Sequence, residues 1–127
     1  MVNYSHCKPL LIPIPSRRTS LKARGFDPLV LISRYLSQAG YPIAHWLIDQ
    51  RAAGRTKTLG TADRKNASQD AFRVRPIPDR YVRNPIPAIV IDDVATSGTT
   101  LTAAVSQLLL SGVHVTGCAA IAGARKL

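Results

Sequence analysis

The stretch Ala88-Ile-Val-Ile-Asp92-Asp93-Val-Ala-Thr96-Ser97-Gly98-Thr99-Thr100-Leu101 constrains the fold more than any other. Ala88–Ile91 is an unbroken apolar, β-branched run, the pattern of a strand buried on both faces. From Thr100 to Leu110, apolar residues return at Leu101, Ala104, Val105, Leu108 and Leu109, on one side of a helix. Asp92–Thr99 between them reads as a turn. Gly112 ends the helix, and Val113–Ile121 is apolar enough for a last, buried strand. Strand, turn, helix and strand in this order predict an α/β domain with a mainly parallel sheet flanked by helices, in which Ala88–Ile91 is central.

The rest of the chain fits that class. Pro9–Ile14 is a short apolar strand. Ser16–Gly25 is a polar loop carrying Arg17, Arg18, Lys22 and Arg24. Asp27-Pro28 starts a helix, with Asp as N-cap and Pro at the first helical position. Leu29, Val30, Ile32, Tyr35 and Leu36 recur at helical spacing up to Gly40, and Ile43–Ile48 reads as a second strand. Gln50–Asn66 shows little apolar periodicity and holds Arg51, Arg55, Lys57, Arg64 and Lys65, as a basic loop would. Ala71–Val74 is a short strand. Arg75–Pro87, with four prolines, reads as a connector without a helix. A length of 127 residues suits one domain spanning 1–127.

The turn after Ala88–Ile91 carries the chemistry. Ligands of open α/β sheets bind beyond the carboxyl ends of strands, where Asp92 and Asp93 are expected. Gly98 allows close approach to the backbone, and the helix N-terminus that follows offers unpaired N–H groups to an anion. Thr96, Ser97, Thr99 and Thr100 add hydroxyl donors. Two carboxylates beside a phosphate seat are consistent with a ribose 5-phosphate. Its phosphate would lie in the Thr/Ser/Gly turn and its hydroxyls on the Asp pair. A Mg²⁺ shared with a diphosphate would balance the charge. The simpler alternative is an ordinary cap, Asp93 or Thr99 closing the helix. The spacing is neither that of a Walker A loop nor of a dinucleotide-binding glycine motif.

Composition adds a charge argument. Seventeen basic and seven acidic residues, all of the latter Asp, give a net charge of +10. Such a surface attracts phosphates, nucleic acid or acidic lipid. Cys7 and Cys118 are too few for a disulfide scaffold or a zinc site. Reduced cysteines and no visible signal peptide make the expected location cytoplasmic. Val94–Ala124 carries no charged side chain, but its hydroxyls and glycines argue against a membrane span. Phe26, Tyr35, Tyr41 and Trp46 are expected in the core or half-buried, and His6, His45 and His114 have no evident partners.

Asp92-Asp93-Val-Ala-Thr96-Ser97-Gly98-Thr99-Thr100 resembles the signature by which type I phosphoribosyltransferases bind 5-phosphoribosyl diphosphate (PRPP). Pro13-Ile-Pro15-Ser16-Arg17, Arg24-Gly25-Phe26, and Arg64 with Ala71-Phe72 are similar to elements of the ComF family, competence-associated proteins of that class. The likeness spans about residues 10 to 124. It implies a phosphoribosyltransferase-like, Rossmann-like core. It also implies PRPP binding by Asp92, Asp93, Ala95, Thr96, Ser97, Gly98, Thr99 and Thr100, together with Pro15, Ser16 and Arg17. The implied activity is Mg²⁺-dependent pentosyl transfer of the glycosyltransferase kind, in nucleotide metabolism, with Asp92, Asp93 and Arg17 as catalytic residues. Arg51, Arg55 and Lys57 would form a hood over the diphosphate, and Mg²⁺ would be held through PRPP with no zinc.

The sequence departs from the family at several points. The usual cysteine-rich zinc module is not matched, Leu59 and Ala67 replace Gln and Asn of the hood, and Asp27 replaces an Asn. These changes bear on catalysis more than on binding. The alternative is therefore a catalytically impaired PRPP- or nucleotide-binding module, or a partner of the DNA-uptake machinery. The basic segments Arg17–Arg24, Arg51–Lys65 and Arg73–Arg83, expected around the mouth of the site, would then contact single-stranded DNA or a protein. A homodimer is compatible with either reading, and no membrane partner is expected.

Overall fold

A computed structural model describes residues 8–15, 25, 27–50, 71–95 and 98–123, with backbone alone at 94–95 and 121–123. The elements are β1 (Leu10–Pro13), α1 (Pro28–Gln38), β2 (Leu47–Asp49), β3 (Phe72–Val74), α2 (Asp79–Arg83), β4 (Ala88–Ala95), α3 (Thr99–Leu110) and β5 (Val115–Gly123). The basic loop 16–24, the hood segment 51–70, Phe26, Thr96 and Ser97 lie outside the described residues, as do His6 and Cys7.

The main sheet has the order β1-β4-β5. Both pairings are parallel, with Leu10 opposite Ala88 and Pro13 opposite Ile91 on one side of β4, and Val90 opposite Cys118 on the other. Ala88–Ile91 is therefore central, as its apolar run requires. Alternation along the strands divides the core between the two faces of the sheet. Leu10, Ile12, Ala88 and Val90 pack with Leu101, Ala104 and Leu108 of α3 and with Phe72 and Leu47. Leu11 and Ile91 pack with Leu29 of α1 on the opposite face. Helices thus cover both sides of a parallel sheet, an α/β architecture.

Local chemistry accounts for α1. Pro28 occupies the first turn, and the Asp27 carboxylate accepts the Leu29 N–H at 3.0 Å. At the other end the chain passes through Gly40 with φ +96°. There the Lys8 ammonium donates to the Ala39 carbonyl and stands 4.7 Å from the Tyr41 ring. The buried stripe differs from the one expected. Leu29 and Ser33 are buried and Ile32 and Leu36 half-buried, whereas Val30 is 47% and Tyr35 73% exposed. Positions 29, 33 and 36 share one side of a helix, and 30 and 35 fall outside it.

Several sequence expectations are corrected. Ile43–Ile48 is not one strand. Ile43 bridges in parallel to Leu11, extending the main sheet, whereas Leu47–Asp49 pairs antiparallel with β3. Between them Trp46 is buried edge-on against Tyr81, ring centroids 5.0 Å apart, and draws the chain away from the sheet. The Pro-rich connector contains α2, five residues between Pro78 and Asn84, because its four prolines all lie outside 79–83. β4 continues through Asp92 and Asp93 to Ala95, since β5 goes on pairing with it as far as Gly123. The last strand is not buried: Thr116–Ala119 are exposed because β5 forms the end of the sheet. Among the described residues, no helix is long and apolar enough to cross a membrane.

The two kinds of stabilisation differ in size. Leu108→Ala removes a fully buried side chain between α3 and the sheet and should lower unfolding free energy by about 2–5 kcal/mol. Asp27→Ala removes one cap and should cost about 1 kcal/mol. Urea denaturation of both variants checks this ordering, and an equal or reversed loss would contradict the packing described.

Candidate ligand crevice at the carboxyl end of the sheet

β1 and β4 meet where the chain changes direction across the sheet. From β1 the chain leaves through α1, on one face, to the Ile43 bridge on the outer side of β1. From β4 it leaves through α3, on the other face, to β5 on the far side. The two connections diverge, which opens a crevice above the carboxyl ends of β1 and β4, the position where open α/β sheets bind ligands.

β1 stops short of β4 here. The last β1–β4 pair is Pro13 with Ile91, and the Ile14 N–H still donates to the Ile91 carbonyl at 2.9 Å. Asp92 and Asp93 are therefore the first β4 residues beyond the end of β1, with the half-buried Pro15 following on the neighbouring strand. The register of two strands brings together the Pro15 and Asp92–Asp93 elements, 77 residues apart in sequence.

The two carboxylates are not equivalent. Successive strand residues point to opposite faces. Asp92 shares the face of Val90, on the α3 side, and is 8% exposed. Its Oδ1 accepts the Asp93 N–H at 2.8 Å. Asp93 is half-buried on the face of Ile91. A buried carboxylate tied to the backbone suits positioning, and a more accessible one suits contact with a ligand.

Past β4, Gly98 is the N-cap of α3 with φ +77° and ψ −5°, a left-handed conformation that glycine adopts without strain. The N-cap position is taken by Gly98, which has no side chain, and not by Asp93 or Thr99. The Gly98 carbonyl instead accepts from the Thr102 N–H at 2.9 Å and the Thr102 hydroxyl at 2.8 Å. The amino end of a 12-residue helix, with a glycine at its N-cap, follows β4 at the same end of the sheet as the carboxylates. Thr99 is exposed and Thr100 half-buried in its first turn. Ala95 closes β4. Ser16, Arg17, Arg51, Arg55 and Lys57 lie in segments outside the described residues. Among the described residues no three His, Cys, Asp or Glu cluster as metal ligands. Two neighbouring carboxylates fit a Mg²⁺ held mainly by a ligand's oxygens and water.

The basic segment Arg73–Arg83 is divided: Arg75 lines a cavity beside Pro13–Pro15, whereas its later arginines lie elsewhere. Tyr81 of α2 closes over Leu10, Ile86 and Val113, which sit at or before the amino ends of β1, β4 and β5. Arg80, stacked 4.9 Å from the Tyr81 ring, and Arg83 therefore flank the end of the sheet opposite the crevice. Sequence reasoning passed over Ser33, gave His45 no partner and counted Arg75 only as part of a basic segment. They line a cavity beside Pro13–Pro15, and a serine on the buried side of α1 was the available signal.

The chain matches no protein-family model, no curated protein and no solved structure. The class the fold defines is an α/β protein whose parallel sheet has its switch point between β1 and β4.

Gly98→Ala tests the turn. Among the described residues, no atom apart from the chain neighbours lies within 4 Å of the position a Cβ would take at Gly98, so the expected cost is backbone strain, about 1–2 kcal/mol. Unchanged unfolding free energy in this variant would contradict the left-handed cap.

Proposed function

We propose that this chain is a phosphoribosyltransferase-type protein that binds PRPP, with Mg²⁺, in the crevice between the carboxyl ends of β1 and β4. The observation that carries the reading is the placement of Asp93 and of the α3 amino end, with Gly98 at its N-cap, beyond the last β1–β4 pair. A ribose 5-phosphate needs both features, an anion seat for its phosphate and a carboxylate for its hydroxyls. The likeness of the Asp92–Thr100 segment to the PRPP signature, and of the flanking elements to ComF proteins, supports the same reading.

In this reading the residues divide their work. Backbone N–H groups at the start of α3 hold the 5-phosphate, with Thr99 and Thr100 hydroxyls beside it. Asp93 accepts from ribose hydroxyls, and Asp92 fixes the Asp93 backbone through its 2.8 Å hydrogen bond. Bound Mg²⁺ would supply charge neutralisation at the diphosphate. Transfer at the ribose C1 requires no protein nucleophile. The chain orients the sugar, stabilises the departing diphosphate and excludes water from the developing positive charge. Arg17 is the candidate for the diphosphate, since a guanidinium pairs with phosphate oxygens in bidentate fashion. The replacements at Leu59 and Ala67 favour binding with slow or absent transfer.

Calorimetry with PRPP and Mg²⁺ tests the proposal. The wild-type chain should bind PRPP. Asp93→Asn should weaken binding by about 1.5–3 kcal/mol, one charge-assisted hydrogen bond. Asp92→Ala should instead lower stability, because the Asp93 N–H loses its acceptor. Equal PRPP affinity in wild type and Asp93→Asn would overturn the assignment of Asp93 to the ribose.

A further inference from the structure

A groove runs along α1, separate from the α3 phosphate seat. It consists of two adjoining cavities of about 240 and 330 Å³, which share Val30, Ser33 and His45. The first opens beside Pro15 and is floored by Ile14, Leu29 and Leu47. The second continues toward the carboxyl end of α1, past Ser37 and against Ile43. Each volume is near the lower end of the range for small-molecule sites.

Its lining combines apolar side chains with Ser33, Ser37, Gln38, His45 and two arginines. Arg75 enters the first cavity and Arg34 the second, and both residues are exposed. Each guanidinium is a permanent cation with a planar donor fork. Asp27, the acid lining the groove, accepts the Leu29 N–H at its Oδ1. Ser33 sits where the cavities join. It is 4% exposed, and its buried hydroxyl has no hydrogen-bond partner. A helical serine ordinarily donates to the carbonyl one turn back, and an unsatisfied buried hydroxyl costs free energy.

We propose that this groove binds a small, flat, apolar molecule bearing one carboxylate. The apolar floor takes the body of the ligand, which a sugar phosphate would not match. A carboxylate fits one guanidinium in bidentate fashion. Arg75 holds the carboxylate near Pro15, and the body lies along Val30 toward Ile43. The groove shares Pro15 with the implied PRPP elements, but no residue of the Asp92–Thr100 segment lines it, so its test does not require PRPP binding.

Calorimetry with naphthalene-2-carboxylate and its uncharged carboxamide tests the groove, with amide-shift mapping by NMR on the same protein. The carboxylate should bind saturably, shift Val30, Ser33 and His45, and bind about tenfold more tightly than the carboxamide, the scale of one charge-assisted contact. Arg75→Gln should remove that difference. Arg80→Gln, at the opposite end of the sheet, should preserve it. The proposal is overturned by an absence of saturable binding, by equal affinity for the two compounds, or by an equal loss in the Arg75 and Arg80 variants.

Discussion

The parallel pairing of β1 with β4 is the constraint on which the rest of the structure depends. Its register, Leu10 opposite Ala88 through Pro13 opposite Ile91, aligns two apolar runs and sorts their side chains between the two faces. A slip of one residue would move Leu10 and Ile12 out of the core they share with Leu108 and Phe72. The same register determines where β1 ends relative to β4, and hence which β4 residues project beyond it. Packing and site geometry are two consequences of one set of backbone hydrogen bonds.

Asp92 and Asp93 illustrate that coupling. As the first residues past the end of β1 they escape the fate of a mid-sheet carboxylate, yet β5 still pairs beside them and holds the backbone straight. Straightness turns the two side chains to opposite faces and gives them different burial. The pair therefore supplies one positioning carboxylate and one that a ligand can reach. Gly98 then turns the chain into α3 so that the amino end of the helix returns to the same crevice.

Much of this was legible in the sequence where one local rule dominates. Ala88–Ile91 as a central strand, the Asp27-Pro28 helix start, and the helix after Gly98 each follow from a short pattern whose physical cause is local. What escaped depends on distant partners. The continuation of β4 to Ala95 is imposed by pairing with β5, and the division at Trp46 by Tyr81, 35 residues later. Exposure of Thr116–Ala119 follows from the position of β5 at the end of the sheet, which an uncharged sequence does not encode. The placement of Arg80 and Arg83 away from the crevice likewise follows from the contact of Tyr81 with the amino ends of the strands. Ser33 was passed over because a helical stripe is read from apolar residues, and its burial shows only once Leu29 is packed on the sheet.

The most direct test of the account is a crystal structure of the chain with ribose 5-phosphate and Mg²⁺. The account predicts phosphate oxygens about 3 Å from the first backbone N–H groups of α3, with ribose hydroxyls on the Asp93 carboxylate. A sugar phosphate bound at the amino ends of the strands beside Arg80 and Arg83, with the β1–β4 crevice left open, would contradict it.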